Sequence, residues 1–157
     1  LTGNGHEEHR IRAFIQKHNI ESVVQLATKE TPQSIPDIYA MADMFIYASQ
    51  TETYGRVLVE AMAARLPVVV LDASSLGGIV VDKVHGRIVY KKTIRTFVET
   101  IKEVLSDKVQ QKHYALAGHK TAVTDHDSEV SINKLLKVYK AVSGQKTKYL
   151  VRLRGER

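Results

Sequence analysis

Short apolar runs alternate along this chain with segments of helical period, and that alternation restricts the architectures open to it. Residues 44–48 (M-F-I-Y-A) and 67–71 (P-V-V-V-L) are apolar throughout, and an apolar helical segment from Gly55 to about Ala64 lies between them. Strands apolar on both faces need cover on both faces, which is the condition of a parallel sheet with crossover helices. The rest of the chain extends the pattern. Residues 6–19 carry Ile11, Phe14 and Ile15 at helical spacing, 22–27 read as a short strand, and 29–34 as a polar turn. A short helix is expected from Pro36 to about Ala42, since proline suits a first helical turn. Residues 49–54 form a polar loop and 72–78 a loop of small residues; 79–82 read as helical and 87–90 as a strand. Helices follow over about 93–106, 109–123 and 128–142. The last carries Ile132, Leu135, Leu136 and Tyr139 on one stripe, with Asp127 or Ser128 as its cap. No internal repeat or low-complexity block interrupts this order. The expected fold is α/β: a doubly wound parallel sheet with additional C-terminal helices. Ligands of such sheets bind beyond the carboxyl ends of the strands, here the loops 27–34, 49–54 and 72–78.

Composition removes several classes. With 157 residues and 43% hydrophobic content the chain suits one folded domain, expected over residues 1–144 with a basic tail at 145–157. There is no cysteine, so disulfide frameworks, thiolate zinc sites and thiol nucleophiles are excluded, and a reducing, cytoplasmic setting fits. The net charge of +6 invites a nucleic-acid partner, but residues 145–157 hold five Lys/Arg against one acid, or +4 of it. Residues 31–90 hold four Lys/Arg against six acids, so the folded middle offers nucleic acid no basic field. The most apolar stretch, 57–81, is broken by Glu60, Arg65, Pro67 and Asp72, and no run is long enough to cross a membrane. No signal peptide is visible, and the opening L-T-G-N-G looks like the end of a strand, so a fragment is expected.

The helix from Gly55 holds one interior acid, Glu60, among Val57, Leu58, Val59, Ala61, Met62, Ala63 and Ala64. Apolar residues nearly all round mark a buried helix, and a buried carboxylate must be paired, protonated or bound to a polar partner. An ion pair with Arg56, four residues earlier, is the plainer explanation. The alternative is geometric. A helix N-terminus near Gly55 offers unpaired N–H groups and partial positive charge to an anion. Glu60 lies about 7–8 Å further along the axis, within reach of a ribose attached to a diphosphate at the tip. A carboxylate accepts hydrogen bonds from both hydroxyls of a cis-diol. Gly55, lacking Cβ, admits close approach of phosphate to the backbone. Glu52 sits in the loop on the other side of the tip, where a donor sugar would lie, or serves as a solvated loop acid.

These residues resemble a known family. E-T-Y-G-R-V-L-V-E, from Glu52 to Glu60, is similar to the E-x7-E signature of retaining glycosyltransferases of family 4, and E-A-M-A-A-R-L-P-V-V resembles the E-A-M-A-x-G-x-P-V-V that follows it. L-T-G-N-G at residue 1, I-Y-A-M-A-D ending at Asp43 and D-K-V-H-G-R-I-V from Asp82 resemble three further elements in the same order, so the likeness covers about residues 1–142. It implies the C-terminal, nucleotide-sugar-binding half of a GT-B fold, a Rossmann-like domain incomplete at its N-terminus. Glu60 would bind the ribose hydroxyls and Glu52, the catalytic candidate, the donor sugar. The backbone from Thr53 and Tyr54 through Gly55, Arg56, Val57 and Leu58 would hold sugar and diphosphate. The base would lie near Ala27 and Thr28. The donor would be a UDP- or GDP-sugar, no metal or other cofactor would be needed, and transfer would retain anomeric configuration. Arg65 stands where the family usually has glycine, Gly78 where glutamate is common and Ala48 where proline is frequent. The family's diphosphate-clamping Arg and Lys would precede residue 1, and the acceptor domain would also lie outside, so the isolated chain is expected to be inactive.

Other patterns carry less. His6 and His9 are three apart, not the four of a zincin helix, and a solvated helix start explains them. G-N-G at residue 3 has glutamate where a dinucleotide fingerprint needs its third glycine. The tail segment Y-L-V-R-L-R interleaves basic and apolar residues; it suits an anionic membrane surface, but a free charged terminus or a strand paired elsewhere is the plainer reading. Two further classes stand beside a glycosyltransferase: a non-catalytic scaffold keeping the fold alone, and a dinucleotide-binding oxidoreductase domain.

Overall fold

A computed structural model describes residues 1, 5–49, 55–72 and 78–143 of the chain. They fall into two compact units, Leu1–Ala42 and Asp43–Arg157. The boundary expected at residue 144 lies outside the described residues.

In the first unit, α1 spans Glu8–Lys17 and α2 spans Ile35–Ala40, with proline in the first turn of α2. Of the expected apolar stripe on α1 only Ile15 is buried; Ile11 and Phe14 are exposed. The helix ends where Asn19 turns left-handed at φ 52°. Ile20 N–H then reaches Ile15 C=O at 3.2 Å and Asn19 N–H reaches Gln16 C=O at 3.1 Å, which closes a Schellman motif. The strand expected over 22–27 does not form. Val23 and Val24 N–H both fold back onto Ile20 C=O, at 3.1 and 3.0 Å, so those amides are spent in a turn. What remains is parallel pairing around one residue: Leu1 N donates to Gln25 C=O and Ala27 N–H to Leu1 C=O, each at 2.8 Å.

In the second unit a parallel sheet runs in the order β1 (Phe45–Tyr47), β2 (Val68–Leu71), β3 (Gly86–Val89). Phe45 pairs with Val68, and Val68 with Gly86. Helix α3 (Arg56–Ala63) makes the crossover from β1 to β2. Val68, Val69 and Val70 are fully buried, as an unbroken apolar strand requires. Val69 packs with Val89, Val104 and Tyr114, and Met44, Leu71, Phe97 and Ile101 close around them. Gly86 admits no side chain, because a Cβ there would stand 1.8 Å from the Val68 carbonyl oxygen.

Helices α4 (Ile94–Ser106), α5 (Lys108–Asp125) and α6 (Ser128–Ser143) complete the unit. Side chains cap each N-terminus. Thr93 Oγ1 accepts from Thr96 N–H at 3.2 Å and Asp107 Oδ1 from Gln110 N–H at 2.9 Å. Asp127, rather than Ser128, caps α6: its Oδ1 accepts from Glu129 N–H at 2.8 Å and Val130 N–H at 3.3 Å. Residues 79–82 are not helical. Ile79 and Val80 are buried within a turn, and Asp82 bridges in parallel to Gly86. Local side chains take the backbone groups a helix would need: Val81 N–H donates to His85 Nδ1 at 3.2 Å.

Candidate functional site

The site expected from sequence centres on the N-terminus of α3. Gly55 is its N-cap at φ 76°, ψ 31°, a left-handed conformation that glycine adopts without steric cost. The Gly55 carbonyl accepts from Leu58 N–H at 2.9 Å and Val59 N–H at 3.4 Å. Leu58 is itself fully buried. Gly55, Arg56, Val57 and Leu58 all lie in this first turn, at the positive end of the helix.

Helix α3 is not buried all round. Leu58, Ala61 and Met62 form its fully buried face, whereas Arg56 and Ala63 are exposed. Small apolar residues suggest burial on every side, but an alanine on a helix fits core and solvent alike. Glu60 therefore sits at the boundary of the core, with 37% of its side chain exposed, and burial does not oblige it to hold a partner. Among its partners is Arg56, whose Nε lies 3.2 Å from Glu60 Oε1, the i, i+4 pair expected as the plainer explanation.

Glu52, Thr53 and Tyr54 lie outside the described residues, as does most of the loop after β2. Ala27 and Thr28 belong to the first unit, both half-buried; Ala27 takes part in the parallel pairing with Leu1.

A polar cluster that motif reading missed lies at the start of β3. His85 is 3% exposed, with Nδ1 accepting from Val81 N–H and Nε2 3.1 Å from Thr121 Oγ1 on α5. Burial pushes its pKa below the ordinary 6.5; a backbone hydrogen bond at Ile79 opposes this and the charge of His126 adds to it. Beside it Asp82 Oδ1 accepts from Ile88 N–H at 2.8 Å, and Arg87 pairs with both Asp82 and Glu103. These groups tie the turn before β3 to the neighbouring helices. The signal available in sequence was a histidine directly before a glycine that cannot carry a side chain. Among the described residues, no three His, Asp or Glu side chains gather as metal ligands, and no helix is long and apolar enough to cross a membrane.

A parallel sheet with a crossover helix whose tip follows the carboxyl end of β1 is the framework of a Rossmann-like domain of GT-B type, and solved glycosyltransferases share it. A glycosyltransferase of Rickettsia africae superposes with a TM-score of 0.78 at 17% identity, covering 92% of this chain and 40% of that one. The Anabaena protein HepE in complex with UDP-glucose gives 0.77 at 23% identity, with the same coverage of 92% and 40%. The chain belongs to the family Glycosyl transferases group 1, whose model matches residues 1–121. An uncharacterized glycosyltransferase of Methanocaldococcus jannaschii is 27% identical over 112 residues, 71% of this chain and 32% of that protein. A GDP-mannose-dependent alpha-mannosyltransferase of Mycobacterium tuberculosis is 27% identical over 116 residues, 73% of this chain and 30% of that protein. The chain thus spans about a third of the length of these curated relatives.

Proposed function

We propose that this chain is the donor-binding part of a retaining glycosyltransferase of family 4, holding a UDP- or GDP-sugar at the tip of α3. The observation that carries the reading is Gly55 in left-handed conformation at the helix N-cap, with Glu60 about one and a half turns beyond it on the partly exposed face. Backbone N–H groups of the first turn and the Arg56 guanidinium meet the diphosphate, and Glu60 accepts from the ribose hydroxyls. Glu52 contacts the donor sugar, which the backbone of Thr53 and Tyr54 helps to hold. The acceptor oxygen bonds to the anomeric carbon on the face the diphosphate leaves, and the acceptor's proton passes to a diphosphate oxygen. No metal enters this scheme. Acceptor recognition requires protein beyond these residues, so the chain alone binds donor without turnover. The setting we assign is cytoplasmic. The reading rests on family membership, on the fold shared with a protein crystallised with UDP-glucose, and on a relative named for GDP-mannose.

The test is calorimetric titration of the parent protein with UDP, GDP, their 2′,3′-dideoxy analogues and NAD. A hydrogen bond to a charged group contributes about 1.5–3 kcal/mol, so Glu60→Ala should weaken UDP or GDP binding by about 10- to 100-fold. The dideoxy analogue should bind wild type and Glu60→Ala alike. Equal loss of both ligands would deny Glu60 its ribose role. NAD binding alone would favour an oxidoreductase domain, and no nucleotide binding a scaffold.

A further inference from the structure

Helix α5 holds the carboxyl end of α3, the end opposite the assigned donor. The closing turn of α3 spends its carbonyls in order. Glu60 C=O accepts from Ala64 N–H at 3.0 Å, Ala61 C=O from Leu66 N–H at 3.0 Å and Met62 C=O from Arg65 N–H at 2.9 Å. The Ala63 carbonyl comes next, and four residues beyond it stands Pro67, which has no N–H to give. An imidazole supplies the bond instead. Nδ1 of the half-buried His119 lies 2.8 Å from the Ala63 oxygen, across 56 residues of chain. A carbonyl only accepts, so Nδ1 carries the proton.

The neighbour of His119 makes this reach possible. Gly118 is buried, and a Cβ there would stand 3.2 Å from Met62 Cγ and 3.4 Å from Met62 Cβ. Without one, α5 comes close enough to bring the ring to the carbonyl. Two residues on, Thr121 Oγ1 lies 3.1 Å from His85 Nε2, which ties the same stretch of α5 to the start of β3. The buried residues Leu58, Ala61 and Met62 decide which side of α3 faces the core, but apolar packing has no direction along the axis. The bond to Ala63 has one. Eight residues of α3 form a hydrogen-bonded rod about 12 Å long, so an axial shift at its end displaces the first-turn amides and Glu60 together. On the donor-binding reading, we propose that His119, admitted by Gly118, is a positioning residue that sets α3 along its axis for the diphosphate and the ribose.

The test is titration of the parent protein and its variants with UDP, GDP and their 2′,3′-dideoxy analogues, with urea unfolding as the check on folding. His119→Leu keeps bulk and loses the donor. It should weaken the nucleotide and its dideoxy analogue alike, by about tenfold, because several hydrogen bonds are misaligned at once. Glu60→Ala should affect only the ligand with the diol. His119→Asn puts an amide nitrogen where Nδ1 stands and should restore affinity. Gln111 sits earlier on α5 and donates to the Val104 and Leu105 carbonyls of α4, at 2.8 and 2.9 Å. Gln111→Leu therefore loosens α5 without touching α3, and should lower the urea midpoint while leaving affinity as in wild type. Undiminished binding by His119→Leu would overturn the proposal. So would equal losses in Gln111→Leu, which would mean general loosening, or failure of His119→Asn to restore binding. Should His119→Leu not fold, Gly118→Ala decides: alanine favours the helix, so stability should hold while crowding against Met62 weakens the nucleotide. Wild-type affinity in that variant would overturn the proposal. A wild-type protein that binds no nucleotide would instead refute the donor reading itself, and this role with it.

Discussion

Arg65 is held in a conformation that costs the fold stability. Helix α3 ends in a Schellman motif: Leu66 N–H reaches Ala61 C=O at 3.0 Å, and Arg65 N–H reaches Met62 C=O at 2.9 Å. The motif requires a left-handed residue after the cap, and Arg65 supplies it at φ 61°. Its apolar contact is in place, since Leu66 and Ala61 are both buried. Only the residue type is unsuited. An L-residue with a Cβ in this region loses about 1–2 kcal/mol, and glycine returns about 0.5–1 kcal/mol of that as entropy of the unfolded chain. Arg65→Gly should therefore stabilise by about 1 kcal/mol relative to Arg65→Ala, which removes the guanidinium but keeps the Cβ. At this size the difference corresponds to about 2–4 °C in Tm. The guanidinium makes no ion pair among the described residues, so Arg65→Ala itself should stay within about 0.5 kcal/mol of wild type. Thermal and urea unfolding of the three proteins read both quantities. Equal Tm for the glycine and alanine variants would refute backbone strain as the cause, and a lower Tm for glycine would show that the arginine itself holds the turn.

Two further outcomes follow from the start of β3. Gly86→Ala places a methyl 1.8 Å from the Val68 carbonyl oxygen, an overlap only backbone movement relieves, so unfolding should be easier by about 3 kcal/mol or more, read from urea midpoints. His85 titrates at 6.5 when unfolded and lower when folded; between the two values the unfolded chain binds the extra proton, so the stability His85 contributes is whole above pH 6.5 and declines as pH falls below it. In His85→Gln, urea midpoints at pH 7.5 and 5.5 should differ less than in wild type; an unchanged difference would remove His85 as the source.

How far the sequence was legible depended on whether its local signals had competitors. The three parallel strands, α3 and the C-terminal helices follow from apolar runs, proline and capping residues whose demands agree with the packing. Residues 22–27 carry a strand composition, but the carbonyl of Ile20 captures the amides of Val23 and Val24, and composition does not report such a turn. Residues 79–82 mislead for a related reason: three consecutive apolar residues carry no period, and a histidine ring rather than a helical carbonyl takes the Val81 amide. On α3 the apolar count overstates burial because alanine and valine are tolerated at a half-exposed boundary. Arg65 departs from the glycine usual at that position, and the left-handed angle gives the reason for that glycine. Interactions within one turn were thus readable when one partner dominated. Those decided by choice among several nearby carbonyls were not.

The Arg56–Glu60 pair is the strongest objection to a ribose-binding role for Glu60, and its magnitude answers it. Arg56 has 84% of its side chain in solvent and Glu60 37%, so the contact is an exposed i, i+4 pair. Such pairs contribute about 0.3–0.5 kcal/mol and give way readily to a stronger partner. A ribose diol donating to a partly desolvated carboxylate, together with a phosphate accepting from the released guanidinium, exceeds that several-fold. The pair can then orient both side chains in the unliganded domain without opposing the ligand. The two ends of α3 lead to the same point. Both are left-handed, yet the chain tolerates arginine at one and has glycine at the other, although asparagine serves the same conformation after α1. Backbone angle alone therefore does not dictate Gly55. Close approach of a ligand to the first-turn amides, the role proposed for Gly55, is a second demand on that position.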